Sequence, residues 1–312
     1  LEAIQADSAD SAEQAEEEHP SSPDDVPLSQ VGSLFLISFF VFSSVIFDTN
    51  VSEPPLHIFP GHLLLLQHFL GTDGAHTTGT ESSSVIDAVL AIGIWLEHSN
   101  RFVDGPLEDE DFFQYLQTLS LLSANTPSPT LRYAAHILLT SVLHAHPVDS
   151  TRLGFIVDTL ENCPFETLKA SAVGWLKDEV VTAHQRKDVS AFSTPVALSA
   201  TQPYLFLDLS PLVSTSNEEA LKEVRETFPY HMAVLNFLYF ISAEQYSEIV
   251  PEGTKKVAMD IYLKPLKAVL DRLQTALQPD SGVLATVRDE TEASVALSEV
   301  QLLGERLGLC MA

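Results

Sequence analysis

The sequence predicts an all-α protein, a HEAT/armadillo-like α-solenoid of antiparallel helix pairs behind a disordered acidic N-terminal tail. Three observations predict it. Apolar residues recur at helical spacing in roughly ten successive segments with short breaks between most of them. No segment shows the period-two alternation of a half-buried strand. One segment, Leu131 to His146, carries apolar residues on two faces, as a helix lying between neighbours does. At 312 residues one compact core is near its practical limit, so two domains or an elongated stack are the natural options. There is no strict internal period, which degenerate repeats of about 40 residues per helix pair allow.

Along the chain, residues 1–30 are acidic, rich in Ser and Pro and poor in aromatics, the composition of a disordered tail. The chain opens on Leu1 rather than Met and reads as a piece of a longer protein. An N-terminal helical-repeat part is expected over 31–186. It starts with Val31 to Phe47, 17 residues without a charge, at the short edge for a membrane span. No Lys or Arg occurs before Arg101, whereas spanning helices carry basic residues on one flank. The segment is therefore read as a buried helix, with a membrane-tethering helix as the alternative. His57 to Leu70 follows Pro54-Pro55, and a Gly- and Ser-rich loop covers Gly71–Ser84. Val85 to His98 and Asp109 to Ser123 are the next helices, the second with an acidic first turn that suits the helix dipole. In Leu131–His146 the main stripe is Leu131, Ala134, Ala135, Leu138 and Val142, with Tyr133 and Ile137 opposite.

Asp149 to Glu161 and Phe165 to His184 come next. On the latter, Lys169 and Glu179 intrude on an apolar arc that includes Trp175. They are too far apart along the axis to pair with each other, so they snorkel or meet partners on other helices. Residues 187–216 read as a loop or insertion, long for a tight repeat. A C-terminal helical part covers 217–312. It holds a helix capped at Asn217 and kinked at Pro229, another over Thr254–Leu277 with Pro265 inside, and a last one closed by Gly308.

Composition narrows the partners. Sixteen Lys and Arg stand against 43 Asp and Glu, a net charge of −27. Such a surface repels nucleic acid and anionic membranes, and a partner recognised by charge should be basic. The two cysteines, Cys163 and Cys310, make no metal-type cluster and suit a reducing compartment. Cys163 is either a redox thiol or a small buried apolar residue.

Catalytic constellations are not apparent. The glycines at 74 and 79 have phosphate-loop spacing, but the Lys is missing and Glu81 stands where Ser or Thr should be. The pairs His62/His68 and His144/His146 do not share a helix face. Adjacent carboxylates at 108–111 diverge around a helix start. Lys256, Lys264 and Lys267 share a face with Asp260 and Asp271, a salt-laced solvated surface. No metal, cofactor or catalytic residue is expected. The one candidate partner-docking patch is Lys169, Trp175, Lys177 and Glu179, where charges interrupt an amphipathic pattern; the alternative is a core Trp175 with snorkelling charges.

Residues 130–181 carry a likeness. Leu131-Arg132-Tyr133, the His146-Pro147 break, Asp158–Pro164 (DTLENCP) and Leu168–Glu179 (LKASAVGWLKDE) resemble the fungal branch of the YAP-binding, aberrant-lateral-root and glomulin family. The resemblance implies a non-enzymatic α-solenoid that binds regulatory proteins. In the fungal branch the implied partner is an oxidative-stress bZIP transcription factor. Kinetochore subunits or cullin-RING ubiquitin ligases are the alternatives, and the cytoplasm, with the nucleus as a second location, is the implied site. No partner-contact residue carries over.

Overall fold

The computed structural model describes residues 28–47, 55–70, 78–187, 189–278 and 290–311. Regular structure among them is helical, apart from an isolated bridge between Phe59 and Val103. The helices are α1 (Gln30–Phe47), α2 (Gly61–Phe69), α3 (Ser83–His98), α4 (Asp109–Asn125), α5 (Pro129–Ala145), α6 (Asp149–Asn162), α7 (Glu166–Arg186), α8 (Pro195–Leu205), α9 (Asn217–Glu226), α10 (Phe228–Ile241), α11 (Thr254–Val257), α12 (Lys264–Ala276) and α13 (Glu290–Met311). The acidic tail read at 1–30 lies, up to residue 27, outside the described residues, as does the first half of the glycine loop, 71–77.

The chain divides into two compact units, Leu1–Ser52 and Glu53–Ala312. In the first, α1 is the segment read as a buried helix. Leu34 and Val41, seven residues apart, are buried, but Leu36, Phe39 and Phe47 are exposed, so the helix hides a narrow stripe only. At 1.5 Å per residue its length is about 27 Å. No helix among the described residues is long and apolar enough to cross a membrane.

In the second unit, packing runs largely between helices close in sequence: α2 on α3, α3 and α4 on α5, α6 on α7 and α8. The C-terminal helices depart from that order: α10 packs on α7, α9 meets α12 and α13, and α13 covers α10 and α12. α3 buries Ile86, Ala88, Val89, Leu90, Ile92, Gly93, Trp95 and Leu96, which at about 100° per residue cover a little over half of its circumference, and it leaves Asp87 and His98 exposed on the other side. On α5 the second apolar stripe faces solvent, with Tyr133 65% and Ile137 40% exposed.

Local chemistry explains the breaks. A capping box closes the start of α9: the Glu219 amide donates to Ser216 Oγ and the Glu219 carboxylate accepts from the Ser216 amide. At Pro229 the helix ends and restarts instead of kinking, giving α9 and α10 with Thr227 between them. Pro265 sits in the first turn of α12 after a π-helical stretch, Ala258–Leu263. Its missing N–H leaves the Ile261 carbonyl without an i+4 donor, and the Leu209 amide supplies one at 3.0 Å. Residues 187–216 are a correction: they contain α8 and two 3-10 turns, Ala191–Ser193 and Pro211–Ser214. Pro195 opens α8 at its first turn, where the absent donor costs nothing.

Two histidines lie in the core as parallel devices. His62 Nε2–H donates to the Val89 carbonyl at 2.8 Å, which fixes the tautomer. Its Nδ1 then accepts from the Tyr115 hydroxyl at 2.9 Å, so one ring joins α2, α3 and α4. The ring reaches Val89 by lying on Gly93, where an added Cβ would come within 2.5 Å of His62 Cε1 and 2.6 Å of Leu138 Cδ2. His231 repeats the pairing, its Nδ1 2.8 Å from the Tyr262 hydroxyl.

Burial holds both rings neutral, with pKa values lowered to about 4; the Val89 hydrogen bond opposes the shift only weakly at His62. An unfolded histidine titrates near 6.5. Between these values the unfolded chain binds more protons, so stability rises with pH up to about 6.5 and is lost as pH falls toward 4. Denaturant titrations from pH 7 to pH 4.5 should show this loss. In a His62→Gln, His231→Gln chain the loss should be shallower, whatever its stability at pH 7. An equally steep loss would put the acid sensitivity elsewhere.

Candidate functional site: a buried ion network and an apolar pocket

The polar centre of the second unit is built on Arg152. α6 begins at Asp149, so Asp149 and Arg152 lie one turn apart on one face, and Arg152 Nη2 donates to Asp149 Oδ1 at 2.7 Å. The same nitrogen donates to Glu179 Oε2 at 3.0 Å. Arg152 Nε lies 2.9 Å from Glu179 Oε1 but off line, an ion contact without a hydrogen bond. Arg152 Nη1 donates to the His146 carbonyl. The guanidinium also stands over the buried Phe192 ring at 5.6 Å.

Glu179 is 4% exposed. A carboxylate this deep requires charge-assisted partners. Besides Arg152 it accepts from His144 Nδ1 at 2.6 Å. Asp149 Oδ2 accepts the Ala191 amide at 2.9 Å, which ties the turn leading into α8 to the same network. One cluster therefore joins α5, α6, α7 and the lead to α8.

Beside it is a polar cavity of about 420 Å³, lined by His144, Asp149, Arg152, Glu179, Arg186 and Ser190 among others. Orienting carboxylate and imidazole are in place for a base, and His144 Nε2 is buried without a hydrogen-bond partner. The third arm of a triad, a nucleophile hydrogen-bonded to that nitrogen, is not built. Among the described residues no group of three His, Cys, Asp or Glu could hold a metal ion.

The four residues of the predicted patch do not share one surface. Trp175 is core, 2% exposed, its ring 5.8 Å from that of Phe155 and its Nε1–H donating to Thr140 Oγ1 at 3.0 Å. Glu179 points inward to the network. Lys169 pairs with Glu166 on its own helix at 3.0 Å, and Lys177, exposed, lies 5.5 Å over the Phe240 ring of α10. Sequence reasoning missed Asp149, Arg152 and His144. The legible signal was Glu179 on an apolar arc, which demanded a cation from another helix without saying which. The lysines of the C-terminal part fall as read, Lys264 2.8 Å from Asp260 and Lys267 2.6 Å from Asp271.

A second feature is apolar. α4, α6 and the turn into α7 enclose a pocket of about 280 Å³ whose lining includes Leu121, Phe155, Cys163, Phe165 and Leu168. Burial pushes the Cys163 thiol up, against weaker downward pulls from the Phe165 carbonyl and Lys169. Thiol reactivity needs the opposite shift.

The profile of an uncharacterised protein family, YAP/Alf4/glomulin (Kinetochor_Ybp2), matches residues 1–305. The chain belongs to the YAP/Alf4/glomulin family. Its described residues are helical in keeping with that membership. No curated protein and no solved structure matches the chain.

Cys163 and Cys310, whose thiol is also raised by burial, should react slowly with iodoacetamide in the native chain at pH 7.5. Mass spectrometry should show each alkylated well behind a free cysteine peptide and catching up in denaturant. Native-state labelling of Cys163 as fast as the peptide would restore it as a redox thiol.

Proposed function

We propose that this YAP/Alf4/glomulin-family chain is a non-enzymatic scaffold, its helix pairs stacked in solenoid fashion, that binds the basic segment of a regulatory protein. The partner is an oxidative-stress bZIP transcription factor, and the scaffold acts in the cytoplasm and nucleus. The observation that carries the reading is the family match over 1–305. The net charge of −27 supports it, since a bZIP basic region is complementary in sign and would be steered to the chain. Several cations of the second unit are already engaged by its own acids, Arg152, Lys169, Arg225, Lys264 and Lys267 among them, which leaves the surplus of carboxylates for a partner.

The kinetochore label of the family suggests kinetochore subunits, the resemblance to glomulin implies cullin-RING ligases, and one experiment separates these partners. Affinity capture from peroxide-treated and untreated fungal extract, followed by direct titration of the captured protein, should yield a bZIP factor. Its affinity for the purified chain should fall steeply with added salt. Capture of cullin or kinetochore subunits would keep the scaffold and move it to another process. Capture of neither class, with no binding by a purified bZIP basic region, would overturn the reading.

A further inference from the structure

Five prolines of the sequence directly follow a hydroxyl residue, at Ser22, Thr126, Ser128, Thr194 and Ser210. A proline after an acceptor hydroxyl offers no N–H. An enzyme pocket without a hydrogen-bond acceptor at that point takes Ser-Pro and rejects other residues, whose amide would be left unpaired. Four of the five are poor acceptors or lie out of view. Ser22 is outside the described residues. Thr126 is 1% exposed. The Thr194 hydroxyl donates to the Ser190 and Ala191 carbonyls, at 3.2 Å each. Ser210 is exposed, but the Asp208 carboxylate accepts its amide at 2.9 Å, so a second anion there is repelled.

Ser128 has none of these impediments. It is half-exposed between Pro127 and Pro129, both exposed. The backbone is extended on either side of Pro127, with φ −62° and ψ 128° at Thr126 and φ −74° and ψ 119° at Ser128, as a following proline favours. Ser128 occupies the N-cap of α5, yet its side chain makes no cap bond, unlike those of Ser190 and Ser216. The first turn of α5 holds no acidic residue, and its leading amides are left without a side-chain acceptor. One turn on, the Arg132 guanidinium rests on the Thr126 and Pro127 carbonyls at 2.9 and 3.0 Å, one peptide from Ser128. Glu81, which Gly79 brings toward Thr126, is turned onto the Gly79 amide at 2.6 Å. In a chain of net charge −27, the positive end of a helix dipole and a guanidinium thus meet at one modifiable hydroxyl.

We infer that Ser128 is a phosphorylation site for a proline-directed protein kinase, and that the start of α5 holds the phosphoryl group once it is attached. Ser128 Oγ attacks the γ-phosphorus of a nucleoside triphosphate. The new O–P bond forms, the bond to the bridging oxygen breaks and the diphosphate leaves. The hydroxyl proton passes to the catalytic aspartate of the kinase. An uncapped first turn frays readily, which gives the kinase the extended segment it needs. The attached group then caps that turn, accepting from the Thr130 and Leu131 amides and pairing with Arg132. Modification fixes the junction of α4 and α5, whichever partner the scaffold holds.

The test treats the full chain, and a peptide of residues 120–135, with a purified proline-directed kinase and magnesium ATP. Mass spectrometry should place phosphate on Ser128 of both. In a phosphorus NMR titration the phosphoserine of the peptide should titrate near 6, and that of the native chain about half a pH unit lower, because the dipole and Arg132 favour the dianion. Arg132→Gln should remove much of that difference. The Thr130 and Leu131 amide signals should move downfield on phosphorylation of the native chain only. A native chain that takes no phosphate on Ser128, whether or not the peptide does, overturns the site, as does phosphate on Ser210 in its place. Phosphoserine that titrates alike in chain and peptide overturns the receptor at α5.

Discussion

The pairing of Arg152 with Glu179 is the constraint around which the middle of the second unit is arranged. An ionised carboxylate does not stay in a helical core without compensation, and the compensation dictates geometry. α6 must present Arg152 to the inner face of α7, and α5 must end where His144 can reach the second oxygen. The lead to α8 must return close enough for Asp149 to take the Ala191 amide. Replacing such networks by apolar residues is often tolerated, whereas removing one partner leaves a stranded charge and costs about 3–5 kcal/mol. The network therefore fixes relative helix positions more than it adds to total stability.

The two ends of that unit use a gentler version of the same idea. His62 with Tyr115 and His231 with Tyr262 are neutral pairs buried in the core. Each joins elements that sequence-local packing alone would leave to slide. Gly93 shows how tight that arrangement is, since the His62 ring occupies the space a side chain there would take. Such a frame leaves its outer surface free to carry charge. The proposed binding of a partner is to be sought on that surface.

Much of the fold was legible because it depends on local rules. Helical spacing, prolines at first turns and acidic N-termini place nearly every helix. Four failures are physical. Tyr133 and Ile137 look like a second packing stripe, yet periodicity cannot tell whether a neighbour covers it, and among the described residues both stay exposed. Pro203 and the polar run before it hid α8, because a proline in a short helix reads as a break. The π-helical stretch before Pro265 depends on a carbonyl being rescued by Leu209, 52 residues upstream of Ile261 and invisible to any local window. At the site, Glu179 and Trp175 were singled out for breaking a pattern, but a charge on an apolar arc can mean a docking patch or a buried pair. Only the position of Arg152 decides between them. The resemblance over residues 130–181 pointed to the family from helix-packing residues, and for that reason could not point to a binding face.

A double-mutant cycle of Arg152→Met and Glu179→Leu, read by denaturant unfolding at pH 7, tests the central claim most directly. Each single substitution should cost about 3–5 kcal/mol, and the double should cost clearly less than their sum, because no charge is then left stranded. Single costs near zero, or costs that simply add, would contradict the account and reduce the pair to two independent surface-like residues.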